Sequence, residues 1–145
     1  MSMLCCGYMA YWLMKTNPEL FSWEMLENGG KTRWDGVRNY QARNNLREMK
    51  PGDLAFMYHH GPEPGVVGIM KIVSESYDDP TSSEGNWSVV DVEPIKKFER
   101  PVSLDEIRYT PVICILPLVN QPKLSVMPVS QDQWDLMLKI GKTSI

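Results

Sequence analysis

Basic side chains crowd one short window of the sequence: Lys31, Arg33, Arg38, Arg43, Arg47 and Lys50, opposed by Asp35 and Glu48 alone. The window is net +4 in a chain of net −3, so the remaining residues carry −7. Such asymmetry is what a local phosphate-contacting patch produces, and it argues against a protein that coats nucleic acid with its whole surface. A solvated helix face produces the same pattern. Trp34 stands inside the window between Arg33 and Asp35. With so little apolar company, its indole either offers a face on which a planar ring can stack or folds down as a lid over the core. Asn39 carries an amide that both donates and accepts, the group best matched to a nucleobase edge, and Tyr40 follows it. The rival role for Asn39 is the cap of a helix beginning there. In the phosphate-binding reading, the contacts come from Arg33, Arg38, Arg43, Arg47 and Lys50.

Other polar tips fall where apolar runs end. Tyr58 and His59 lead into a loop holding two prolines and two glycines, a position suited to the rim of a barrel mouth, although His59 fits a purely structural role equally well. Lys15 and Thr16 leave an early apolar run at a comparable point, offering a cation and a hydroxyl, and Ser125 adds a late hydroxyl. An enzyme acting on a nucleotide or small molecule would rest on His59 as general base, because the sequence holds no Gly-x-Ser-x-Gly elbow and no P-loop. A protein-interaction scaffold using the same pocket is a third reading. His59 and His60 are adjacent, and Cys5, Cys6 and Cys114 form no Cys-x-x-Cys spacing. No metal and no cofactor are therefore expected, and the thiols are expected to be reduced.

These residues need elements to hold them. Residues 8–14 are aromatic and apolar enough for a first strand, and Asn17-Pro18 turns the chain. Ser22 caps a short helix that Gly29-Gly30 ends, and residues 31–39 read as an exposed loop. From 40 to 49, Ala42, Leu46 and Met49 share one face while Arg43, Arg47 and Lys50 line another, which predicts an amphipathic helix with a basic stripe. Pro51-Gly52-Asp53 then turns into strand 54–58, with a second strand at 66–76. Residues 87–93 alternate, setting Val90 and Val92 opposite Asp91 and Glu93. Ser103 with Glu106 and Ser130 with Gln133 fit the capping box, so helices should start near 104 and 131. Residues 112–119 and 124–129 are extended candidates. Trp23, Trp87 and Trp134 fall on element patterns and are assigned to the core. The sum is an α+β domain whose sheet curls into a small barrel flanked by short helices, expected to be one domain over residues 1–145.

Four segments taken in order resemble the EVE domain family of the PUA-like superfamily. They are Trp12-Leu13-Met14-Lys15-Thr16-Asn17-Pro18-Glu19, the block from Trp34 through Asp35-Gly36-Val37-Arg38-Asn39-Tyr40-Gln41-Ala42-Arg43 to Asn44, the pair Lys50-Pro51-Gly52-Asp53-Leu54 to Gly65-Val66-Val67-Gly68-Ile69, and Leu124-Ser125-Val126-Met127-Pro128-Val129 followed by Trp134. The second block is the most specific. Thr16 stands where the family more often has serine, and His60 where it has a small polar residue. The resemblance implies a PUA-like mixed β-barrel, akin to the YTH readers of methylated adenine, with a concave pocket for one modified nucleobase. It implies a non-enzymatic module binding DNA or RNA that carries modified cytosine or another methylated base. The modified-base pocket would draw on Trp34, Asn39, Tyr40, Tyr58, His59, Lys15, Thr16 and Ser125. With no membrane-length apolar run and no secretory signal, the expected setting is cytoplasmic, as a monomer without membrane or metal partners.

Overall fold

Trp12, Leu13 and Met14 are buried in succession, the pattern of a strand covered on both faces. They belong to β1 (Tyr11–Thr16), an interior strand of a seven-stranded mixed sheet, paired on both sides. The computed structural model describes residues 10–145, so Tyr8, Met9, Cys5 and Cys6 lie outside the described residues. The remaining elements are α1 (Trp23–Gly29), β2 (Thr32–Trp34), α2 (Tyr40–Glu48), β3 (Leu54–His59), β4 (Gly65–Ile72), β5 (Tyr77–Asp78), β6 (Ser88–Ser103), α3 (Leu104–Arg108), α4 (Pro117–Asn120), β7 (Val126–Val129) and α5 (Gln131–Ile140). The sheet runs β2-β6-β4-β3-β1-β7, with β5 paired to β6. Strands β1 and β3 are parallel, Tyr11 opposite Leu54 and Thr16 opposite His59, and every other pair is antiparallel.

Among the described residues the path ends at β2 and β7, and the sheet curls into a half-barrel. Helix α2 bridges β7 and the start of β6. Asn45 Nδ2 donates to the Val126 carbonyl of β7 at 2.7 Å, and Arg47 Nε donates to Ser88 Oγ of β6 at 2.9 Å. Inside, Phe56 stacks on Trp134 at 3.9 Å between centroids, and Tyr11 stacks on Trp134 at 4.4 Å. Trp23, 1% exposed, lies so close to Gly68 that a Cβ there would sit 2.5 Å from the indole. Asp53, itself buried, accepts from Trp12 Nε1 and from the Ala10 and Lys50 N–H groups, tying the start of β1 to the turn before β3.

Helix starts follow their capping residues. Ser22 and Asn39 accept from the N–H three residues on, and both capping boxes, Ser103 with Glu106 and Ser130 with Gln133, are complete. Four expectations need correction. The 31–39 loop contains β2, whose three residues pair with Val90–Val92, too short a run to show a period. Residues 112–119 are not extended: hydrogen-bonded turns lead into α4, with Pro117 in its first turn, and Val112 has φ 78°. The 66–76 strand ends at Ile72. Finally, β6 continues ten residues past Glu93, because Pro94 and Pro101 sit at or beside the register shifts where a missing N–H costs the ladder nothing.

Candidate functional site

The open seam of the half-barrel forms the site. Above the N-terminus of α2, a cavity of about 840 Å³ is walled by the end of β1, by β2 and its following loop, and by the residues before β7. That volume lies in the range of small-ligand pockets. Trp34 lines it and is only 6% exposed, so the indole forms the inner wall rather than a projecting tip, with Phe21 edge-on at 6.0 Å. Leu20, Phe21 and Val37 supply the other apolar surface. Four cations, Lys15, Arg33, Arg38 and Lys123, face one carboxylate, Asp35.

The sequence-predicted residues divide between this cavity and other places. Lys15, Thr16, Trp34, Asn39, Ser125, Arg33 and Arg38 meet here. Lys15 Nζ donates to the Pro122 carbonyl at 2.8 Å, and burial pushes its pKa down. Thr16 Oγ1 donates to the Phe21 carbonyl, which fixes the α1 approach. Asn39 takes the capping role: its Oδ1 accepts from Ala42 N–H at 2.9 Å, while its Nδ2 makes no hydrogen bond among the described residues and the residue is part of the cavity lining.

Tyr40, Tyr58 and His59 are not brought there. Tyr40 is 61% exposed outside the lining and stacks on Trp87. Tyr58 is buried against a neighbouring hollow that shares Lys15, Thr16 and Ser125, and burial pushes its hydroxyl up to about 12. His59 lines a separate, proline-rich hollow, where its Nε2 accepts from the Trp23 N–H at 3.1 Å. Burial lowers its pKa, and the lone pair a general base needs is already engaged. Trp87 is buried at 7% but stands apart from the core cluster.

The arginines are more committed than a free phosphate patch requires. Arg43 donates to Asn44 Oδ1 and to the Asn86 side chain and carbonyl, and Arg47 is tied to Ser88. Arg33 pairs with Asp35 at 3.2 Å, both half-exposed, and Lys50 is exposed. Arg38 Nη1 pairs with Asp79 at 2.9 Å. Sequence reasoning passed over Asp79, whose buried carboxylate also accepts from Gly36 N–H, Thr81 N–H and Thr81 Oγ1. Burial by itself would raise its pKa, yet these bonds hold the carboxyl well below the usual carboxylate range. Asp79 thereby clamps the loop between Trp34 and Asn39 from below. Its signal in the sequence, an Asp-Asp-Pro-Thr turn, is one that many surface turns share.

A curled mixed half-barrel with an aromatic-walled cationic cavity in its seam defines a PUA-like domain. The chain matches the EVE domain over residues 10–140 and belongs to that family. It is 40% identical to thymocyte nuclear protein 1 of Rattus norvegicus, over 90% of this chain and 73% of that protein. Among solved structures, a protein from Pseudomonas syringae superposes with TM-score 0.85 at 44% identity, covering 91% of this chain and 99% of that one. Human THYN1 protein, solved in complex with 5-methylcytosine-containing DNA, superposes with TM-score 0.84 at 36% identity, covering 94% and 99%. The YTH domain of Zygosaccharomyces rouxii MRB1, solved with N6-methyladenosine RNA, shares the fold at TM-score 0.60 and 14% identity, covering 95% and 89%. Among the described residues no helix is long and apolar enough to cross a membrane.

Proposed function

We propose that this protein is a non-enzymatic reader of nucleic acid that accepts one flipped-out modified base, 5-methylcytosine of DNA foremost, in the cavity walled by Trp34. The observation that carries the reading is the convergence of an indole wall, Asn39 with its Nδ2 unbonded among the described residues, and four cations on one seam. A flipped base needs a π face, polar groups at its edge and cations for the flanking phosphates. Leu20, Phe21 and Val37 add apolar surface against which a base methyl group can be desolvated. The human relative's complex with 5-methylcytosine DNA supports the choice of base.

The test is a fluorescence-anisotropy titration with matched oligonucleotides carrying cytosine or 5-methylcytosine in DNA, and adenine or N6-methyladenine in RNA. One methyl group in a fitted pocket is worth about 1 to 3 kcal/mol. The methylated-cytosine strand should therefore bind at least about tenfold tighter than its unmodified partner. Equal affinities across the whole set would refute the reading, and a preference confined to N6-methyladenine would reassign the base.

A further inference from the structure

Beside the cavity, but outside its lining, Tyr40 in the first turn of α2 exposes 61% of its surface. It is nevertheless built into a stack: its ring lies 5.0 Å from that of Trp87, at 26°. The Arg43 guanidinium lies 4.9 Å from the Tyr40 centroid and 5.8 Å from that of Trp87. If Tyr40 were sandwiched between them, Trp87 and Arg43 would be separated by nearly the sum of their distances to it. They are far closer than that, so Trp87 and Arg43 do not enclose Tyr40 between them, in agreement with the 61% exposure of the residue.

Both neighbours are themselves fixed. Trp87 Nε1 donates to Glu84 Oε1 at 3.1 Å, and Arg43 Nη1 donates to Asn86 Oδ1 at 3.1 Å. Arg38, part of the cavity wall, also lies over the Trp87 ring at 5.7 Å. The platform and the cavity thus share a wall, and Tyr40 is the residue directly after Asn39.

We propose that the exposed ring of Tyr40 is a second stacking surface, which takes the base adjacent to the flipped one. The inference rests on the reader assignment above. Flipping a base strips its neighbour of a stacking partner, and an exposed aromatic plane one residue from the pocket replaces it. Every base has a π face, so this contact is indifferent to sequence and to modification. Arg43, 4.9 Å from the Tyr40 centroid, adds positive charge close to the backbone of the stacked nucleotide.

The experiment compares the wild-type protein with Tyr40→Leu and Tyr40→Phe on single strands carrying cytosine or 5-methylcytosine, with 2-aminopurine placed on either side of that base. Tyr40→Leu should weaken binding about tenfold on both strands and leave their affinity ratio unchanged. Tyr40→Phe should bind as wild type. The 2-aminopurine at one flanking position should be quenched by wild type and Tyr40→Phe but not by Tyr40→Leu. Wild-type affinity in Tyr40→Leu would overturn the proposal, as would loss of the affinity ratio in that variant, which would place Tyr40 inside the base pocket. If wild type shows no preference for any modified base, yet Tyr40→Leu still costs tenfold on unmodified strands, the reader assignment falls and the platform stands.

Discussion

Replacing Asp79 with asparagine tests whether the loop that follows Trp34 is held by one buried carboxylate. In the native protein Asp79 Oδ2 accepts from Gly36 N–H at 3.1 Å and Arg38 Nη1 at 2.9 Å, while Oδ1 accepts from Thr81 N–H at 2.7 Å and Thr81 Oγ1 at 2.6 Å. Asparagine keeps one acceptor, which the Thr81 pair can use, but turns the other position into a donor facing two donors. The Gly36 N–H is then left unsatisfied, at about 1 to 3 kcal/mol. The Arg38 side chain is 39% exposed and can turn to water, so its loss adds only about 1 kcal/mol. The total is about 3 kcal/mol, which for a chain of this length lowers Tm by about 10 °C.

The pH dependence supplies an independent signature. The folded pKa of Asp79 lies below its unfolded value, so its stabilisation is complete above about pH 5 and is lost as the pH falls through the carboxylate range. The gap in stability between wild type and Asp79→Asn, measured by urea unfolding, should therefore be widest near neutrality and shrink below about pH 4. A variant melting within about 2 °C of wild type at pH 7 would show that the loop stands without the clamp. A gap that stays constant down to pH 3 would show that the carboxylate's charge is irrelevant to it.

Trp34→Ala should abolish discrimination between methylated and unmodified strands in the anisotropy assay, while Trp34→Phe retains part of it; full discrimination by the alanine variant would remove the indole from the site. Gly68→Ala should cost about 1 to 3 kcal/mol in urea unfolding, because the new Cβ meets the Trp23 ring at 2.5 Å and that ring is 1% exposed with nowhere to go; an unchanged midpoint would refute the packing argument. His59 has its pKa lowered by burial, so the unfolded chain binds its proton first and stability falls as the pH drops below about 6.5. His59→Gln should flatten that slope between pH 7 and 5, and an identical slope in the variant would assign it elsewhere.

Much of this fold was legible because local chemistry and tertiary context agree. The capping boxes at Ser103 and Ser130, the amphipathic run of α2 and the alternation at Val90–Val92 each express a rule satisfied within a few residues. What escaped depends on partners far along the chain. β2 is a strand only because β6 offers it an edge, and the prolines of β6 look like terminators until the shifted register around them is known. The site divides in the same way. The block from Trp34 to Asn44 located the cavity, and Lys15, Thr16 and Ser125 join it through the pairing of β1 and β7. Tyr58 and His59 failed to join because they lie on β3, one strand further from the seam, with β1 between them and the β7 edge. Rim positions on adjacent strands can still face different hollows.

The unclosed sheet explains why the basic stripe and the cavity occur together. Among the described residues β2 and β7 are the edge strands, and an uncovered edge invites association with other chains. Helix α2 covers part of the seam, and it does so with polar side chains: Asn45 satisfies the Val126 carbonyl, Arg47 reaches Ser88 and Arg43 reaches Asn86. The stripe that reads as a phosphate patch is therefore first a device for closing the half-barrel. Where α2 ends at its Asn39 cap the seam stays open, and that opening is the cavity. The cations lining that opening are consequently Lys15, Arg33, Arg38 and Lys123, contributed by β1, β2, the loop after it and the approach to β7. Charge at the site thus comes from several elements that the sheet alone brings together, which is why a window of sequence could reveal only part of it.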